Sequence, residues 1–259
     1  MRRSFPLVLT LCVSIPLCGP AFAGGYEMKD LEALEKQESW QEALDHLGDI
    51  APSRRDKTWE RIAEKSAIGV MGAIDPSKEP QARGYGSHLA PPRALVFADD
   101  FAAKYPAFKK SKAFMAARAD AALKGFKYTF NASSHNSSDD PWLEQVKAFQ
   151  KTDTTSPDVP LRIGKLISGR LVGYVAIPFY KTALASNGGL CKDADVKAAI
   201  VSAITSNVWM DDAKPMADKC WGDVKGAIET EVKKEDADET RKHACPVLAA
   251  HKVALAECK

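Results

Sequence analysis

Apolar residues recur at the three-and-four spacing of an α-helix along almost the whole chain from Met28 to Leu255. Strict two-residue alternation occurs once, at Phe126, Tyr128 and Phe130, over a stretch short enough to be a helix end. A 3.6-residue period places one apolar stripe on each helix, and that stripe must be buried against other helices. The pattern predicts an all-α fold.

Prolines and glycines punctuate the pattern. Leu31, Leu34, Trp40, Ala43, Leu44, Leu47 and Ile50 share one periodicity that stops at Ala51-Pro52. Asp56 is placed to N-cap the next helix, with Trp59, Ile62, Ala63, Ala67, Val70, Met71 and Ile74 on its face, ending at Asp75-Pro76. Residues 77–92 hold Pro80, Gly84, Gly86, Pro91 and Pro92 and read as a loop. Further helices are expected from Ala94 to Tyr105, and from about residue 109 to 124. The rest are expected over Trp142 to Phe149, Leu161 to Leu184 with a bend at Pro178, Ala194 to Thr205, Ala213 to Val232, and Ala237 to about Leu255. The serine-rich stretch Asn131 to Asp140 is the clearest internal boundary.

The N-terminus has the order of an export signal. Arg2 and Arg3 precede an apolar run from Phe5 to Leu17, and Ala21-Phe22-Ala23 follows as a small-x-small cleavage site. The run is shorter than the roughly 20 apolar residues a spanning helix needs. Cys18 follows the large Leu17, which argues against a lipidated start and for cleavage after Ala23. The expected layout is a signal peptide over 1–23, a helical region over 24–130, a polar linker with one short helix over 131–160, and a cysteine-bearing helical region over 161–259. The expected compartment is periplasmic or secreted.

Of 36 basic residues, Arg2 and Arg3 leave with that signal, and the 34 that stay match the 34 acids. A neutral mature chain has no global charge that would draw it to nucleic acid or an anionic membrane. One local excess stands out. Lys104, Lys109, Lys110, Lys112, Arg118, Lys124 and Lys127 face only Asp120. A helix over 109–124 sets Lys109, Lys110 and Lys112 near its positive dipole end, where cations are disfavoured unless an anion offsets them. These three are the candidate anion-binding residues. The other reading is a solvated face.

All four cysteines of the mature chain lie in its last 69 residues: Cys191, Cys220, Cys245 and Cys258. An even number in an oxidising compartment implies disulfides, and the sequence-local pairing is Cys191–Cys220 with Cys245–Cys258. Loop entropy assigns these about 3.6 and about 3 kcal/mol. The second pair requires a bend between its members, expected near Pro246 and Ala249-Ala250, because a straight helix would hold them about 20 Å apart. A mixed metal set of His243, Cys245, His251 and Cys258 is the competing reading, but its spacing follows no zinc pattern.

Two segments carry the resemblance that this layout suggests. Trp40, Ala43 and Leu44 stand twelve, nine and eight residues before Pro52. Phe97, Ala98 and Phe101 stand nine, eight and five before Pro106. Each segment is followed by a polar turn and another amphipathic helix. Over about residues 28–126 this resembles the tetratricopeptide repeats of exported bacterial proteins, in which small residues let paired helices approach and proline closes the repeat. The prolines lie 54 residues apart, against about 34 in the repeat. Cys191, Cys220-Trp221, Cys245-Pro246 and Cys258 resemble modules of uncharacterised exported bacterial proteins. The resemblance implies antiparallel helical hairpins in a short, irregular solenoid, with the C-terminal hairpins disulfide-linked.

Catalytic and cofactor motifs are missing from the sequence: it has no GxSxG, HExxH, Walker loop or GxGxxG. Ser87 and His88 are sequence neighbours, which is poor geometry for a triad. His46 and His135 have no evident partner. Asp99-Asp100, Asp139-Asp140 and Asp211-Asp212 could suggest paired carboxylates, but Asp139 and Asp211 sit near helix starts, where carboxylates complement the dipole. No catalytic residue, cofactor or metal is assigned. The expected function is a non-enzymatic binding or scaffold protein of the cell envelope whose partner is another protein or an envelope polymer. An enzyme without a recognisable motif and a purely structural component are the alternatives.

Overall fold

The computed structural model describes residues 25–79, 90–129, 141–153, 157–168 and 173–259. The signal segment with Cys12 and Cys18, the Gly84–His88 loop, and Asn131–Asp140 with His135 and its acidic pair lie outside those residues. The described residues form twelve α-helices and no strand. They are α1 Met28–Lys36, α2 Trp40–His46, α3 Lys57–Ala73, α4 Arg93–Lys104, α5 Lys112–Thr129 and α6 Pro141–Thr152. The second half holds α7 Val159–Ser168, α8 Ile177–Ser186, α9 Ala194–Ser206, α10 Met210–Lys219, α11 Trp221–Val232 and α12 Asp238–Ala250. Short 3-10 turns connect several of them.

Backbone chemistry sets the breaks, and three fall where apolar periodicity is silent. The pattern over 28–50 is two helices, not one. Glu38 takes a left-handed conformation (φ 55°), and the Ser39 N–H donates to the Leu34 carbonyl at 3.0 Å, closing α1. The stretch from Leu161 to Leu184 is also two helices. Pro178 does not bend a continuous helix; it sits in the first turn of α8, where its missing N–H costs nothing. Residues 213–232 divide at Cys220 into α10 and α11. Asp56 does cap α3, accepting from the Thr58 and Trp59 N–H groups at 2.9 and 3.0 Å.

Two apolar clusters hold the helices. The first gathers Leu31, Leu47, Trp59, Ile62, Met71, Phe101, Phe108 and Phe114 from α1 to α5. The second gathers Leu95, Phe126, Trp142, Phe149, Ile163, Phe179, Tyr180, Ile200, Val224 and Leu248, from α4 and α5 through to α12. Burial of each such side chain contributes about 1.5–3 kcal/mol. The clusters meet on α4 and α5: α4 gives Leu95 to the second and Ala98, Phe101 and Ala102 to the first, and α5 gives Phe114 and Met115 to the first and Ala119, Leu123 and Phe126 to the second. The short helix expected within the linker, α6, is core: Trp142, Leu143, Val146 and Phe149 are all buried.

The cysteines pair as expected from their spacing. Cys191 and Cys220 have Sγ atoms 2.01 Å apart, and Cys245 and Cys258 have theirs 1.95 Å apart. The bend needed by the second pair is not at Pro246, which lies within α12. It is at Lys252, left-handed at φ 60°, where the Val253 N–H donates to the Leu248 carbonyl at 2.9 Å. That cap turns the chain back toward Cys245.

Candidate anion-binding cleft

The turn that joins α2 to α3 and the turn that joins α4 to α5 flank an open cleft of about 780 Å³. Asp56 starts α3 and so fixes Lys57, Glu60, Arg61 and Glu64 along the cleft side of that helix. Lys104, Tyr105, Pro106, Phe108 and Lys110 form the opposite side. The Trp59 indole N–H donates to the Leu47 carbonyl at 3.2 Å, which anchors the ring beneath the cleft. Tyr105 meets Trp59 edge-on with centroids 5.3 Å apart.

Arg55 lies on this aromatic base. Its guanidinium carbon is 4.8 Å from the Trp59 ring centroid and 5.8 Å from that of Tyr105. Its Nε donates to the Ile50 carbonyl at 2.9 Å. With Nε engaged and its carbon close to the indole, the guanidinium is held in place, and such a group can grip a carboxylate or phosphate through two N–H donors. The Lys104 ammonium lies 5.4 Å from the Tyr105 ring centroid. Trp59 is only 4% exposed and Tyr105 9%, so the cleft offers cations backed by rings rather than open ring faces. The Tyr105 hydroxyl is buried without a hydrogen-bond partner.

Several cations close together in sequence at this edge lack acidic partners. Arg54, Arg55, Lys57, Lys104, Lys109, Lys110 and Lys112 have no carboxylate within ion-pair distance among the described residues. Other cations are mixed: Arg61 and Lys65 share Glu35, Lys165 takes Asp193 and Lys181 takes Asp212, while Lys127, Lys151, Lys192, Lys197 and Lys214 also have no carboxylate within ion-pair distance among the described residues. Of the acids near the cleft, Asp56 caps α3 and Glu64 accepts from the Ser111 hydroxyl, which leaves Glu60 as the acid without a described partner.

The three lysines singled out in the sequence lie at this edge but not on one helical turn. Lys109 and Lys110 belong to the 3-10 turn Pro106–Lys110, and Ser111 caps α5 through its hydroxyl, which accepts from the Phe114 N–H at 3.2 Å. Only Lys112 is in the first turn of α5. Lys110 lines the cleft; Lys109 and Lys112 stand beside it. Arg118, Lys124 and Lys127, read as part of the same run, are elsewhere on α5, with Arg118 buried against Asp99 and Lys124 paired to Asp120. The contribution of Arg54, Arg55 and Lys57 was missed. Its signal is a basic triplet just after Pro52, lying next to the 104–112 turn only once the helices pair.

The histidines fasten the ends of the described chain. His46 stacks on Tyr26 (3.6 Å, 13°) and bonds Asp49 through Nδ1 at 2.9 Å. His251 stacks on Trp221 (3.7 Å, 11°) and bonds Asp218 through Nε2 at 2.8 Å. Bonding to His46, joined by the Tyr26 N–H, holds the Asp49 carboxyl below its ordinary range. The alternative metal set is dispersed: Cys245 and Cys258 take each other, His251 takes Asp218, and His243 lies 4.0 Å from Glu239.

Compared with protein-family models, curated proteins and solved structures, the chain matches none.

Proposed function

We propose that this is an exported, non-enzymatic binding or scaffold protein of the cell envelope, built from helical hairpins stacked as a short irregular solenoid, with an anionic partner held at the Arg55 cleft. The observation that carries the reading is the set of six cations without ion-pair partners near an Arg55 guanidinium already fixed by Ile50 and Trp59. Like charges gathered at one edge repel one another, and a bound anion offsets that repulsion. Export is supported by the order of residues 1–23 and by two cysteine pairs at disulfide distance. No helix among the described residues is long and apolar enough to cross a membrane. The all-helical architecture and the repeat resemblance support a binding role by analogy.

The test is co-sedimentation of the mature chain with isolated envelope material. Wild type is expected to sediment at low salt, and Lys57→Glu/Lys104→Glu/Lys110→Glu to stay in solution. Equal sedimentation of both, or of neither, contradicts the reading.

A further inference from the structure

We infer that the occupant of the cleft is a linear polyanionic polymer, gripped by charge along an edge rather than by an apolar anchor; this rests on the binding reading above. Three observations separate this class from the other anionic partners.

The first is the distribution of charge. Arg55 and Lys57, at the start of α3, and Lys104 and Lys110, between the end of α4 and the start of α5, line an open trough, with Arg54, Lys109 and Lys112 next to them in sequence. A site for one small anion converges several donors on a point. Here one donor is pre-set, Arg55, and the rest are exposed side chains spread beside it. That arrangement suits repeated oxyanions along a chain, with Arg55 taking one in bidentate fashion.

The second is the lack of an apolar anchor. Protein partners are held by aromatic or aliphatic side chains that enter desolvated pockets. At this edge the aromatic side chains are already covered: Trp59 lies under Arg55, Tyr105 under Arg55 and Lys104, and Phe108 is 6% exposed. The exposed large apolar side chains of the described residues, Val96, Tyr128 and Trp209, line no part of the cleft. The third observation follows from the same covering. A neutral sugar chain binds by stacking on open aromatic faces, and none is offered here. Arg55, Lys57, Lys104 and Lys110 line the trough beside Pro106 and Ala107, with Glu60 as the one lining carboxylate that has no described partner.

The shared chemistry is a repeated oxyanion, either phosphate or carboxylate. Fluorescence anisotropy with labelled inorganic polyphosphate and with labelled polygalacturonate tests the inference and assigns the source by which of the two binds. Affinity is expected to rise with chain length. For about four contacts it should fall about 50-fold between roughly 50 and roughly 200 mM salt, since each contact contributes about 0.7 to the log–log slope. Lys57→Glu/Lys110→Glu should abolish binding, while Lys151→Glu/Lys192→Glu, away from the cleft, should not. Arg55→Lys keeps the charge and loses the fork, and should weaken binding several-fold with the helical circular dichroism unchanged.

Inorganic monophosphate competing as well, per phosphate, as the long chain would overturn the polymer inference. So would failure of both polymers together with salt-insensitive capture of a folded protein that the lysine variant loses. That second result would leave the anionic-cleft reading standing. No binding of any anion, polymer or protein at the cleft would overturn both.

Discussion

Arg118 and Asp153 face each other across the junction of the two cores, with Nη1 3.6 Å from Oδ2 and side chains 7% and 0% exposed. The same guanidinium donates through Nε to Asp99 at 2.8 Å and lies 5.3 Å from the Phe149 ring centroid. Arg118 thus ties α4, α5 and the end of α6. Losing one member of a buried pair costs about 3–5 kcal/mol. Arg118→Met should lower stability by about that amount in urea unfolding. Arg118→Met/Asp153→Asn should recover part of the loss. Equal stability of wild type and Arg118→Met would show that the pair does not join the cores.

Gly164 permits the contact between α7 and α8. A Cβ there would lie 2.3 Å from the Tyr180 ring, which is itself fully buried. Gly164→Ala should therefore destabilise the chain by about 1–3 kcal/mol despite the better helix propensity of alanine. A thermal midpoint at or above the wild-type value would contradict this packing.

Thiol titration of the unfolded, unreduced mature chain should find no free cysteine, and peptide mapping should link Cys191 to Cys220 and Cys245 to Cys258. Replacing the first pair by serine should cost about 3.6 kcal/mol and the second about 3. Linkage of Cys220 to Cys245 would overturn the described arrangement of α10 to α12.

Stability should fall on acidification. Burial works to raise the Asp193 carboxyl, but Lys165 and the N–H groups of Val196 and Asp195 hold it below its ordinary value. Asp49 is held low by His46 and the Tyr26 N–H. A carboxyl whose pKa is depressed by folding adds stability above its unfolded pKa and loses it as pH falls through the folded value. Chemical unfolding should therefore give constant stability near neutrality and a decline beginning as pH enters the ordinary carboxylate range. Asp193→Asn should flatten part of that decline; an unchanged profile would remove Asp193 from the account.

The helical class and the cysteine pairing were legible because each rests on local arithmetic: a 3.6-residue apolar period, and four cysteines close in sequence. Helix ends were less so. Glu38 and Lys252 close helices in left-handed conformations that glycine usually supplies, so nothing in their identity announces the turn. Pro178 and Pro246 look like breaks but do not interrupt their helices. The cleft was half legible. Lys109, Lys110 and Lys112 were visible as a basic run, whereas Arg55 becomes informative only when Ile50 and Trp59 are seen to fix it. That relation depends on the packing of α2 and α3, which periodicity does not specify.

The most direct test of the central claim is an amide and side-chain NMR titration of the 15N-labelled mature chain with short-chain polyphosphate at low salt. Shifts are expected to be confined to residues 54–57 and 104–112, with the Arg55 side chain most affected, and to be reversed by added salt. Shifts centred instead on the other basic surfaces, such as Lys214 and Lys242, or none anywhere, would contradict it.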